Sequence, residues 1–100
     1  MEKVWLKSYP KGVPSEINLD EFQSLVDLFN QTCERFNNQP AFTNFGVQVS
    51  FRELKSYSEN LSSFLLNEFK LKKGDRVSIM MPNILQYPIS TFGILKSGLL

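Results

Sequence analysis

One hundred residues, 42% hydrophobic and 13% aromatic, suffice for one modest core and a single folded unit, and they exclude a disordered chain. Eleven Lys and Arg stand against ten Asp and Glu, a formal charge of +1, so no net field draws the chain to nucleic acid or acidic lipid. With no histidine and a single cysteine, these residues cannot assemble a zinc-type cluster, a His-based triad or an internal disulfide.

The opening MEKVWLKSY carries charges where a signal peptide needs a continuous apolar run, and no stretch approaches the ~20 apolar residues of a membrane span. The expected compartment is therefore the cytoplasm. Residues 1–20, with Pro10, Gly12 and Pro14, read as an irregular arm, and residues 21–100 as the folded body. In an extended arm the alternation Lys3, Trp5, Lys7, Tyr9, Lys11 puts all five on one side. Such a face suits stacked bases or a membrane interface. The expected role is instead a strap, in which Val4, Trp5 and Leu6 hold the arm on the body while the lysines stay wet. One short segment of a near-neutral chain is a poor electrostatic footprint. The acidic group from Glu16 to Glu34 and the basic group Lys70, Lys72, Lys73 and Arg76 read as solvated faces.

Leu25, Leu28, Phe29, Thr32, Cys33 and Phe36 follow the stripe of an amphipathic helix near 24–36, with Ser24 and Asp27 at capping positions and Cys33 in the core. Asn37 to Pro40 ends it. Two short runs around Gly46 predict a hairpin near 41–51. Ser50 and Glu53 then have the spacing of a capping box, and Leu54, Tyr57, Leu61, Phe64, Leu65 and Phe69 make one apolar face, predicting a helix near 51–69. Lys73-Gly74-Asp75 is a turn. Val77 to Met81, stopped by Pro82, reads as a central, parallel-type strand near 76–81 that is apolar on nearly both faces. Strand, helix and strand would form a right-handed βαβ-type unit. A last helix ends near Lys96 or Ser97. Asn83 is its candidate cap, but Pro88 requires either a start near Tyr87 or a distorted first turn.

Gly93 to Gly98 spells the two glycines of a phosphate loop, but Leu99 and Leu100 stand where Lys and a hydroxyl residue are needed, and the pattern sits at a helix end, where Gly98 reads as a cap. No GxGxxG, HExxH, CxxC or GxSxG occurs. Glu53 and Glu59 are helix-surface carboxylates with no acid-base spacing. The residues alone give an α/β fold and state no reaction.

KKGDRVSIMMPN followed by QYPISTFGILKSG resembles the early part of the adenylate-forming, acyl-activating enzymes, through Gly74, Asp75, Arg76, Val77, Pro82, Asn83, Lys96 and Gly98. VWLKSYPKGVPSEIN, QSLVDLF, QPAF and SFRELKSYS are similar more specifically to bacterial long-chain fatty-acid CoA ligases. The resemblance implies the N-terminal part of the large AMP-binding domain of an enzyme that makes an acyl-adenylate from a long-chain fatty acid and ATP with magnesium, then transfers the acyl group to coenzyme A. It places the phosphate loop and the other catalytic motifs beyond Leu100, so no catalytic, cofactor-binding or metal residue carries over. It therefore implies a scaffold piece, inactive by itself, binding no cofactor and no nucleic acid. Uncovered strand edges around Met80 and Met81 predict self-association. The alternatives are a free-standing α/β interaction module and a segment binding peripherally at the inner face of the membrane.

Overall fold

A computed structural model describes all 100 residues. A short 3₁₀ turn over Val4–Ser8 precedes helix α1 (Leu25–Arg35), strands β1 (Pro40–Asn44) and β2 (Val47–Ser50), helix α2 (Phe51–Asn67) and helix α3 (Gln86–Lys96). The α/β expectation holds, as three helices on a two-stranded antiparallel sheet.

Helices α1 and α2 each start where a serine side chain provides a cap. The Ser24 hydroxyl accepts the Asp27 amide at 3.1 Å. At α2 the Ser50 hydroxyl accepts the Glu53 amide at 3.2 Å while a Glu53 carboxylate oxygen accepts the Ser50 amide at 2.9 Å, so two orphan donors are satisfied reciprocally. Between the strands, Phe45 and Gly46 both have positive φ, 48° and 79°, the pattern of a type I′ hairpin turn. Asn44 pairs with Val47 and Phe42 with Val49, and the register shifts between Pro40 and Phe42.

The last helix begins at Gln86 and not at Asn83. Leu85 occupies the cap position with no side-chain bond, and the Asn83 carbonyl instead accepts the Asn44 amide group at 2.8 Å. Pro88 lies third in the helix, where its missing N–H is one that no helical partner would have received. At the other end Gly98 (φ 72°) turns the chain. Its N–H donates to Leu95 and the N–H of Leu99 to Ile94, a Schellman motif closed by Leu99 packing with Ile94.

Packing gives two apolar clusters. Phe29, Cys33, Val49 and Leu54 form the first, with the Phe29 and Phe92 rings stacked at 4.1 Å. Leu65, Ile94 and Leu99 form the second, backed by Leu61, Leu71, Val77 and Ile79. Helices α2 and α3 lie close because Gly93 has no side chain: a Cβ there would stand 3.0 Å from Leu61 Cδ2 and 3.1 Å from the Ser58 carbonyl.

Two expectations are corrected. Residues 76–81 are extended but belong to no sheet. The Val77 amide donates to Leu100 (2.8 Å) and the Leu100 amide to Asp75 (2.9 Å), a single parallel-type exchange, and residues 78–81 make no backbone hydrogen bond. Val77, Ile79 and Met81 are half-buried while Ser78 and Met80 face solvent, so one face is covered and not two. A strand needs a partner as well as apolar side chains, and no neighbouring segment reaches past Val77. The arm is neither extended nor a strap. The 3₁₀ turn breaks its alternation, every hydrogen bond of residues 1–20 stays within the arm, and Val4 and Trp5 remain 59% and 47% exposed.

Candidate functional site

The largest concavity, about 390 Å³, opens between the hairpin and the start of α3. Phe42 of β1, Ile84 and Leu85 of the preceding loop, and Tyr87, Pro88 and Phe92 of α3 supply its walls. The Asn44 to Asn83 bond ties its two sides together. A second groove of about 270 Å³ shares Phe42 and Phe92 and continues towards Leu25 and Leu28 of α1. Those two side chains, expected in the core, are exposed, because β1 and α3 leave that end of the helix uncovered. Neither concavity contains a carboxylate, a cysteine or a lysine. Their walls are mainly apolar, with the Tyr87 hydroxyl as the one titratable group.

The charged side chains that do converge lie elsewhere. Lys96 Nζ donates to Glu59 Oε1 at 2.9 Å and to Asn30 Oδ1 at 3.2 Å, and stands 5.6 Å from the centre of the Phe29 ring. One ammonium thus joins α1, α2 and α3. The sequence reading treats Glu59 as a surface carboxylate and misses this junction; the lone charge near the end of the apolar run Phe92 to Leu95 was the available signal. Cys33 lies nearby, 1% exposed, and burial pushes its thiol up from the ordinary range against the pull of Lys55 and Lys96. Glu53 is held below the usual carboxylate range by the Ser50 backbone and hydroxyl bonds. That shift belongs to a helix cap, not to a catalytic acid.

Gly93 and Gly98, the two glycines tested as a phosphate loop, serve helix contact and helix termination. Nor do Asp, Glu or Cys residues gather in any group of three that could hold a metal ion. The structure thus brings no predicted set of reacting groups together.

Comparison with known proteins gives the context. The profile of the AMP-binding enzymes matches residues 29–100. Over all 100 residues the chain is 52% identical to a long-chain-fatty-acid–CoA ligase of Escherichia coli, and 48% identical to one of Yersinia pestis. Over 97 residues it is 33% identical to the ligase of that name from Bacillus subtilis. The chain spans 18% of the length of the first two and 17% of the third. Among solved structures, the N-terminal subdomain of NpsA from Klebsiella oxytoca superposes with a TM-score of 0.72 at 26% identity, covering 77% of this chain and 20% of that one. An artificially fused adenylation and PCP di-domain, NpsA-ThdA, gives 0.74 at 25% identity over 79% of this chain and 15% of its own. Sequence and fold agree, and the chain belongs to the AMP-binding enzyme family.

Proposed function

We propose that this chain is the N-terminal part of a long-chain fatty-acid CoA ligase, an enzyme that condenses a long-chain fatty acid with ATP to an acyl-adenylate and passes the acyl group to coenzyme A. One observation carries the reading. The family profile begins at residue 29, whereas the ligases match from residue 1, so the arm that the wider family match leaves out is shared with them. The 100 residues themselves do not fit the cofactors. They offer no glycine-rich phosphate cradle and no oxygen cluster for magnesium, so no step through ATP, magnesium or coenzyme A rests on these side chains. Their part is to build the α2 and α3 layer of the large domain.

A cytoplasmic location, with the arm at the inner face of the membrane, belongs to the same proposal. No helix is long and apolar enough to cross it. Assay of the longer protein encoded by the same reading frame, beside the 100-residue chain, tests the ligase reading. The longer protein should form acyl-CoA from a long-chain fatty acid, ATP, magnesium and coenzyme A, while calorimetric titration of the chain alone with ATP and magnesium shows no binding. A longer protein that activates only amino acids or short acids would overturn the proposal, and micromolar ATP binding by the chain would overturn the scaffold role.

A further inference from the structure

The two concavities beside Phe42 form one elongated trough. Phe42 and Phe92 line both, and Phe92 is held in place by its stack on Phe29 at 4.1 Å. The polar groups gather at one end. Around the larger part, of about 390 Å³, stand Asn44, Asn83, the Tyr87 hydroxyl and Thr91, whereas the smaller part, of about 270 Å³, has Thr32 as its one polar lining residue and runs out to Leu25 on α1. No Asp, Glu, Lys or Arg lines either part, in a chain that is 21% charged. Leu25 is 62% exposed and Phe42 43%, so apolar wall is left in water.

We infer that this trough is a binding site for the alkyl chain of a long-chain fatty acid, with the methyl end towards Leu25 and the head group in water at the mouth between Asn44 and Tyr87. The space is that of a small-ligand site, for which roughly 300–1,000 Å³ is usual. The lining selects among ligand classes. A nucleotide or other polyanion needs cationic side chains or a phosphate cradle, and the trough has neither. A peptide would bring polar backbone groups against Leu25, Leu28, Phe29 and Leu54, where Thr32 alone could answer them. An unbranched alkyl chain requires only apolar wall and an elongated space, and its head can stay wet at the end where the polar groups stand. With no cation beside that head, the site reads chain length and not charge. The choice of a fatty acid among alkyl compounds rests on the ligase reading, whereas the apolar lining stands without it.

The site is tested by calorimetric titration of the 100-residue chain with saturated fatty acids of eight to fourteen carbons, each below its micelle-forming concentration. Affinity should rise by up to about fourfold with each added methylene. Leu25→Glu puts a carboxylate at the far end of the trough, at an exposed helix start that accepts an acid. It should weaken binding of the fourteen-carbon acid on the order of tenfold and leave the eight-carbon acid within about twofold. Leu19→Glu adds the same charge at an exposed leucine outside the trough and should change neither. Thr91→Phe fills the larger part and should weaken every acid. Circular dichroism of each variant checks that its helices are intact. Affinity that does not rise with chain length, or a rise that Leu25→Glu leaves unchanged, would overturn the proposal. So would binding that weakens as protein concentration is raised, which would give the trough to a second copy of the chain. The longer protein should show the same Leu25→Glu loss in the same titration; without it, the remainder of that protein fills the trough and the proposal is equally overturned. A chain that binds the acids beside a longer protein that forms no acyl-CoA would fault the ligase reading and keep this site, and the opposite pair of results would keep the reading and remove the site.

Discussion

At Gly93 helix propensity and packing make opposite demands. Alanine inside a helix is favoured over glycine by about 0.5–1 kcal/mol. Here the added Cβ would meet Leu61 Cδ2, which can rotate away, and the Ser58 carbonyl at 3.1 Å, which belongs to the α2 backbone and cannot. Overpacking costs about 1–3 kcal/mol. Packing should prevail, so Gly93→Ala is expected to lower stability by about 1 kcal/mol, read as a lower urea midpoint; a stabilised variant would show that α2 and α3 slide apart without cost. Lys96 is governed by screening. Its Glu59 partner is half exposed, which holds that pair to about 0–1 kcal/mol. Lys96→Met keeps the contact with Phe29 and should cost about 1 kcal/mol, most of it through Asn30, and a double-mutant cycle with Asn30→Ala measures that share. Cys33 provides an independent reading of both variants. Buried and held protonated, its thiol should react with a disulfide reagent only when the three helices open, so its labelling rate should rise in Gly93→Ala and Lys96→Met.

At the level of elements, what was legible in the sequence is what a few neighbouring residues decide. Ser50 and Glu53, Ser24 and Asp27, the Lys72 to Asp75 turn and the Gly98 terminus all close rings within six residues, and all four form as their spacing implies. Ser50→Ala should cost about 1 kcal/mol. Glu53 adds a pH dependence whose sign follows from its cause. Its carboxyl is depressed in the folded state, so its contribution is complete above the ordinary glutamate range and is lost as pH falls through the depressed value. Stability of the parent chain should therefore fall on acidification more steeply than that of Glu53→Gln, which is checked by urea titrations across the acidic range. What was not legible depends on distant partners. Val77 to Met81 has the composition of a buried strand, but a ladder is a property of two segments, and only Leu100 comes alongside. The arm's alternation implied an extended backbone, and local 3₁₀ bonds from Leu6 to Lys3 and from Tyr9 to Leu6 replaced it. The apolar concavity beside Phe42 could not be read from sequence because its walls come from two stretches, 42–44 and 83–92, that lie about forty residues apart.

The whole molecule is loose for its length. Its radius of gyration is 16.7 Å where a compact domain of 100 residues has about 13 Å, and its extents are 52 × 34 × 26 Å. Ten residues are buried, whereas Met80 is 96% exposed beside backbone groups of residues 78–81 that bond to nothing in the chain. An uncovered edge next to an uncovered apolar side chain is a template for pairing with another chain. We therefore expect the 100-residue chain to self-associate through this edge and the adjoining face of α3. The acidic face of α1 should stay free, because like charges there oppose contact. Light scattering across a concentration series should show a mass that climbs above that of the monomer. Met80→Lys should lower it, since the side chain faces solvent and its charge burdens the pairing edge without entering the core. Trp5 emission should stay constant through the same series, because no hydrogen bond joins the arm to the body. A monomer that unfolds cooperatively at high concentration would show instead that two small clusters suffice to hold α2, α3 and the extended segment together, and the case for a free-standing module would be the stronger for it.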